Sequence, residues 1–267
     1  MPEGYVKANR EILPGYYLLE LVVDREYPVP TPGQFVMLNV SEGCDPLLRR
    51  PFSVYNFYQE QAKNCLKILY RVVGRGTEMM SHLKVRDLMR LSTPLGNGFH
   101  FPTHIKRIYL VGGGVGVAPL VYLAHFVRRS GGEREIVCYL GAQTEKKLLS
   151  LETLKSLSSQ VIVATDDGSA GFHGPVTEAF RKDLGVIAGN DTAVYVCGPR
   201  EMVQEFAAML KGKPIFCQVS MEERMACGLG ACLGCVISLQ GREGNRYYGR
   251  VCVDGPVFNI RHIIWEG

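Results

Sequence analysis

The chain has 267 residues, 46% of them hydrophobic, and its 30 basic against 26 acidic side chains leave a net charge of +4. That length suits two ordinary domains, or two and a small appendage, while so slight and evenly spread a charge leaves no footprint for nucleic acid or an anionic membrane. With no basic-then-apolar leader in "MPEGYVKANREILPGYYLLELVVD" and no window near roughly 18 uncharged apolar residues, we expect a soluble, cytoplasmic protein with no nucleic-acid or membrane partner.

The first stretch, taken as 1–102, alternates in period two. "YYLLELVVD", "QFVMLNV", "FSVYNF" and "LKILYRVV" are β-rich runs separated by "PVPTPG", "SEGCDP" and "QEQAKN". They predict a small antiparallel β-barrel. In "GTEMMSHLKV", Thr77 is placed to cap a short helix packing Met79, Met80 and Leu83 inward. "RRPFSVYNF" puts Arg50, Pro51, Phe52 and Ser53 at the head of a strand. An arginine fork with a nearby hydroxyl suits a pyrophosphate, and the strand backbone can hydrogen-bond the edge of a planar ring. Alone, a solvated arginine beside a strand serine is the commoner case. Downstream, "LYRVVGRGTEMM" offers a helix start at Gly76 and Thr77, whose free amides favour a phosphate. Together these point to FAD.

From about Ile105 the rhythm becomes strand, glycine turn, helix, giving a Rossmann-like parallel sheet with helices over 103–219. "RIYLVGGG" leads into "VGVAPLVYLAHFVRR", "EIVCYLGAQ" into "KKLLSLETLKSL", "QVIVATDDGS" into a helix from about Pro175, and "TAVYVCGP" into "REMVQEFAAML". The nucleotide loop reads Gly114-x-Gly116-x-x-Pro119, with proline where the dinucleotide fingerprint has its third glycine. Proline is comfortable in a helix's first turn. A βα turn with no ligand is the plain alternative. "YVCGPREM" brings Cys197, Gly198 and Pro199 to the carboxyl edge of the sheet, where Cys197 is a candidate to sit against a nicotinamide. No acid ends the second strand, "YLGAQ", and no basic cluster marks a 2′-phosphate, so the residues do not choose NAD or NADP. "TDDGS", at Asp166 and Asp167, leans against a phosphate, although acidic pairs in loops are usually solvated.

The tail, 220–267, holds "CGLGACLGC" and a hairpin-like "LQGREGNRYYGRVCV". Nine cysteines in a long chain suit metal-bound thiolates better than disulfides. Cys227, Cys232 and Cys235 follow the C-x4-C-x2-C spacing of plant-type ferredoxins, with Cys252 as the distant fourth ligand of a 2Fe-2S cluster. Gly228, Gly230 and Gly234 can supply positive φ and bare amide donors around the sulfurs. Structural zinc usually shows two paired knuckles instead. Cys44, Cys65, Cys138, Cys197 and Cys217 read as small core residues.

In this order the flavin barrel, "GGGVGVAPL" and "CGP" resemble the ferredoxin-NADP reductase superfamily across the whole chain. "SMEERMACGLGACLGC" followed by "CVDGPVF" is similar to the electron-transfer subunits of class B, NAD-linked dihydroorotate dehydrogenases of pyrimidine (UMP) biosynthesis. That resemblance implies the same four cluster cysteines, and FAD held by Arg50 to Ser53, by the strand residues Leu69, Tyr70 and Arg71, and by Gly76 and Thr77. It also implies an FMN-containing catalytic partner, assembled two plus two as a heterotetramer. Electrons would pass from the partner's FMN through the cluster and FAD to NAD. A neighbouring likeness is the small subunit of NADH-dependent ferredoxin:NADP oxidoreductases or sulfhydrogenases, which share the "CVDGPVF" ending but tend to a "DGTGMCGVC"-like loop. Independently of resemblance, sites for a hydride carrier, a flavin and an iron-sulfur cluster on one chain describe a converter between two-electron and one-electron transfer.

Overall fold

The computed structural model describes residues 2–265 apart from 42, 44, 132, 188 and 242, so Cys44 lies outside the described residues. Six strands form the N-terminal barrel: β1 (Glu3–Leu13), β2 (Tyr16–Val23), β3 (Phe35–Asn39), β4 (Arg50–Glu60), β5 (Lys63–Arg71) and β6 (Leu88–Leu91). They close in the order β1-β2-β5-β4-β3-β6, with every pairing antiparallel. Two of them go beyond the four runs legible in sequence. β1 reads EGYVKANREIL, its polar residues on a half-solvated edge blurring the alternation, and β6 is four residues long. Leu19, Leu21, Leu66 and Ile68 are fully buried inside, and Met80 of α1 (Arg75–Ser81) packs into the same cluster.

The remaining elements are β7 (Arg107–Gly113), α2 (Val117–Arg129), β8 (Glu135–Ala142), α3 (Leu151–Leu157), β9 (Gln160–Thr165), β10 (Phe172–His173), α4 (Val176–Ile187), β11 (Thr192–Cys197), α5 (Arg200–Met209), β12 (Phe216–Ser220), β13 (Val236–Gln240), β14 (Arg246–Arg250) and β15 (Val257–Asn259). A seven-stranded sheet runs β10-β9-β8-β7-β11-β12-β15, parallel except where β15 returns antiparallel to β12. The tail is thus sewn onto the sheet by its last strand. Around Lys146 to Leu157 the expected single helix is a short 3-10 turn and then α3, separated at Ser150 by a left-handed residue with φ of 61°.

α2 joins barrel and sheet. Its Tyr122 hydroxyl donates to Pro30 O at 2.6 Å, and Arg129 donates to Phe57 O at 2.6 Å and Asn56 Oδ1 at 2.9 Å. β13 and β14 form the hairpin read in the tail. No described helix is long and apolar enough to cross a membrane.

Candidate functional site

A cavity of about 390 Å³ opens where barrel, sheet and tail meet. Its barrel wall is Pro51, Phe52 and Ser53 of β4 with Leu69, Tyr70 and Arg71 of β5. The Phe52 ring meets Tyr70 edge-on at 6.0 Å, and the Tyr70 hydroxyl donates to Asn9 Oδ1 at 3.1 Å. Burial pushes the Tyr70 phenol up, so it stays a neutral donor.

Thr77 completes this wall in a different role from the expected cap. α1 begins at Arg75, and Thr77, on its third residue, folds back: its hydroxyl accepts from Val73 N at 2.9 Å and Gly74 N at 3.2 Å and donates to Gly74 O at 2.8 Å. Two amides just before the helix are satisfied and the turn is locked. Arg50 and Gly76 stand beside the cavity. A Cβ on Gly76 would come within 3.3 Å of Arg50 Nε, so the glycine leaves the guanidinium room, and Arg50 Nη1 donates to Leu48 O at 2.6 Å. An apolar slot with a cation and unpaired first-turn amides at its rim suits a flat ring bearing a pyrophosphate tail. The other walls, Val115 and Ala118 of the nucleotide loop and Met221, Glu222 and Pro256 of the tail, escaped sequence reading. Only tertiary packing brings them here.

A second cavity, about 460 Å³, lies over the carboxyl ends of β7, β8 and β9, lined by Gly113, Gly114, Gly141, Asp166 and Pro199 among others. A smaller one of about 200 Å³, lined by Gly114, Gly116, Gly198, Pro199 and Glu222, bridges it to the first; Arg71 lines all three. Gly114 has a φ of 56°, which suits glycine at the tight turn. Thr177 Oγ1 is buried on the wall of the larger cavity without a hydrogen-bond partner, a group that a polar ligand would satisfy.

Two of the expected nucleotide-site residues are set back from these cavities. Pro119 is buried in the first turn of α2, behind the loop, where it shapes the helix start and lines none of these three cavities. Cys197 also lies inside the core. β11 is central and covered on both faces, its thiol is wholly buried, and burial pushes that thiol's pKa up. The cleft residue at this junction is Glu222, whose side chain is open to solvent along the cleft yet crowded enough for burial to raise its carboxyl.

The cysteine loop sits against the barrel: a Cβ on Gly228 would meet Met37 Cγ of β3 at 2.9 Å. Gly228 and Gly230 have φ of 69° and 79°, whereas the third left-handed residue is Leu233, at 56°, and not Gly234. Gly234 instead lies under Cys232, whose Sγ is 3.5 Å from a Cβ built there. The Cys227 thiol is drawn down to about 6, first by the Leu229 amide, which donates to its Sγ at 3.3 Å, then by the Cys232 backbone and thiol. Amides aimed at sulfur favour the thiolate that a metal needs. Cys252 is pushed up to about 11, by burial and then by a hydrogen bond with Cys235.

The sulfurs therefore meet in two pairs, Cys227 with Cys232 and Cys235 with Cys252. Among the described residues no three of these sulfurs lie within 4.8 Å of one another. Four thiolates about 2.3 Å from one zinc would all be mutually about 3.8 Å apart. Two pairs fit two irons better. Cys65, Cys138, Cys197 and Cys217 are free and buried.

Residues 222–264 match the family described as the iron-sulfur cluster binding domain of dihydroorotate dehydrogenase B, and residues 110–208 match the oxidoreductase NAD-binding domain. The chain is 37% identical to the electron transfer subunit of dihydroorotate dehydrogenase B (NAD(+)) of Desulforamulus reducens, over 99% of this chain and 98% of that one. The corresponding subunit of Caldanaerobacter subterraneus is 37% identical over 97% of each. Among solved structures, a NADH-dependent reduced ferredoxin-NADP oxidoreductase superposes with a TM-score of 0.82 at 26% identity, covering 98% of this chain and 90% of that one. Phthalate dioxygenase reductase, at 20% identity, shares the fold with a TM-score of 0.64 over 94% of this chain and 76% of its own.

Proposed function

The chain belongs to the family of electron transfer subunits of NAD-dependent dihydroorotate dehydrogenase B, and from that premise we propose how its residues divide the work. It is an oxidoreductase subunit using FAD, a 2Fe-2S cluster and NAD, and it acts with a catalytic partner subunit. When bound, the cluster passes single electrons, NAD takes a hydride, and FAD exchanges with both.

In this reading Cys227, Cys232, Cys235 and Cys252 hold the cluster. Pro51 to Ser53, Leu69 to Arg71 and Thr77 seat the flavin, with Arg50 and Gly76 at its phosphates. Gly114, Gly116, Gly198 and Pro199 cradle the nicotinamide nucleotide. Units of 1–102, 103–219 and 220–267 carry the three tasks. Asn9 holds the Tyr70 hydroxyl in place against the flavin slot. Arg71, on the edge common to all three cavities, supplies a fixed positive charge where anionic groups converge.

The observation that carries the proposal is the flavin cavity's shared wall. Barrel, nucleotide loop and tail each contribute side chains to it, and the cysteine loop is seated on Met37, in the strand that supplies Phe35 to the same cavity. We take the partner to carry FMN and to assemble two plus two. Leu229, Leu233 and Tyr248 around the cysteines are 68%, 61% and 65% exposed, an apolar rim that suits a subunit contact. The free thiols among the described residues suit the cytoplasm.

The test is co-purification with the FMN-type catalytic subunit under anaerobic conditions. The complex should show flavin bands over iron-sulfur absorbance bleached by dithionite, and should reduce NAD with dihydroorotate. Dihydroorotate-independent ferredoxin reduction would instead favour the ferredoxin:NADP oxidoreductase reading, to which the structural likeness at 26% identity points.

A further inference from the structure

Resting on the reading that the four tail cysteines hold the cluster, we infer that Arg250 is a positioning residue: it sets a fixed positive charge against the cysteine loop and so raises the cluster's reduction potential. Arg250 ends β14, just before the turn that carries Cys252. Its guanidinium is held at both ends. Nη1 donates to Gly230 O at 3.3 Å, inside the loop between Cys227 and Cys232. The opposite edge meets Asp254, with Nε donating to Oδ2 at 3.1 Å and Nη2 to Oδ1 at 3.5 Å. The cation therefore lies between the loop and its own counter-ion.

The surrounding backbone fixes that order. The Arg250 carbonyl accepts from Val253 N at 3.1 Å and Asp254 N at 2.8 Å, closing a tight turn around Cys252, and Asp254 Oδ2 also accepts from Arg250 N at 2.7 Å. From the barrel side, Asn97 Nδ2 donates to Val253 O at 2.9 Å and to Asp254 O at 3.2 Å. Val251 N donates to Cys235 O at 2.9 Å, which ties the same turn to a second cysteine. Gly230, with a φ of 79°, leaves the space that the guanidinium needs: a Cβ there would meet Val253 Cγ2 at 2.8 Å and Arg250 Nη1 at 3.1 Å.

Stability alone does not account for this arrangement. The two side chains are 37% and 39% exposed, and an ion pair so open to water contributes little to folding. What the geometry secures is placement of charge. The guanidinium is drawn first to Asp254 and, less strongly, to the Cys252 and Cys235 sulfurs. Accepting an electron makes a thiolate-bound cluster more negative, so a neighbouring cation favours the reduced form and an unmasked carboxylate opposes it. Both residues also line a groove of about 570 Å³ beside Leu233, Tyr247 and Tyr248. A partner subunit seated on that apolar rim excludes water from the pair and strengthens its effect.

The experiment is a potentiometric titration of the assembled, anaerobically prepared complex, followed by the electron paramagnetic resonance of the reduced cluster. In Arg250→Gln the ratio of reduced to oxidised cluster at a fixed potential should fall roughly tenfold, a midpoint lowered by about 59 mV for one electron. Asp254→Asn, which keeps an acceptor for the Arg250 amide, should move the midpoint upward. Arg250→Lys should recover most of the loss, since the charge returns without the fork. Opposite signs in the two neutral variants separate a charge from a mere clasp, whose loss would disturb the cluster the same way in both. Shifts of one sign, a midpoint unmoved in both, or loss of iron from both overturn the inference. Where Arg250→Gln alone loses iron, the sign in Asp254→Asn decides. An unaltered complex without iron and sulfide overturns the reading of the four cysteines and the inference with it.

Discussion

The α-carbon of Gly116 lies against the carbonyl of Cys197: a Cβ built on Gly116 would meet that oxygen at 2.7 Å and the Gly198 α-carbon at 2.7 Å. The nucleotide loop and the turn after β11 are therefore one packed unit, and both contacts are backbone, which cannot swing aside. Gly116→Ala should displace one of the two segments, weakening NADH at least tenfold while FAD stays bound, at a cost in stability of about 1–3 kcal/mol. Gly114→Ala is the instructive contrast. It has open space around it and a φ of 56°, so its cost is conformational, about 1 kcal/mol. Nucleotide titrations and thermal melts of the two variants should separate them.

Arg50 reaches the flavin site from its rim, where the guanidinium passes over Gly76 and is steadied by Leu48 O. Removing a charge-assisted phosphate contact costs about 1.5–3 kcal/mol, so Arg50→Ala should release FAD roughly ten- to a hundredfold more readily. Arg50→Lys should recover part of this, since the charge returns without the fork. Flavin fluorescence on dilution measures the loss. Unchanged retention in the alanine variant would leave Arg50 as a support for the loop before β4.

Much of this architecture is written locally. The strands of the barrel that alternate cleanly, the glycine turns of the sheet and the C-x4-C-x2-C spacing each depend on neighbours in the chain, and they read directly. β1 and β6 do not, because one is half-solvated and the other only four residues long. The place of Cys197 before Gly198 and Pro199 says nothing of how deep its thiol lies; the central strand, buried along its length, sets that. Phe35, Glu222, Pro256 and Thr177 lie in runs whose local pattern says nothing of a cavity, and each reaches one only through contacts between distant segments.

The four cysteines differ in exposure, and their variants should differ with it. Cys232 is exposed while Cys252 is buried. Cys232→Ser should lose iron and sulfide with little effect on folding or on FAD, which is seated in other elements. Cys252→Ser should lose the cluster and also place a hydroxyl in the core, destabilising the apoprotein by about 1–3 kcal/mol. Iron and sulfide assays beside denaturant melts of the apoproteins distinguish the two. Full iron retention in Cys232→Ser would remove it from the ligand set.

His125, half-buried on α2 where that helix meets the barrel, is held neutral: burial, then the charges of Arg129 and Lys67, bring its pKa down to about 4. Above the unfolded value of about 6.5 both states are neutral and the residue contributes no pH dependence. Below it the unfolded chain takes up a proton that the folded chain resists, so stability falls as pH drops from about 6.5 towards 4 and levels off beneath. The whole shift corresponds to about 3 kcal/mol, and partial access of water to the ring reduces the expected loss to about 1–2 kcal/mol. His125→Gln, which cannot be protonated, should show a flatter decline between pH 7.5 and 5 in denaturant melts of the FAD-bound protein. Parallel declines in the two proteins would assign the acid sensitivity of this window to another group, and Glu20 is not that group. Burial works to raise that carboxyl, but its bonds with Lys7 and Tyr58 hold it below its ordinary value, so its contribution is lost only at lower pH.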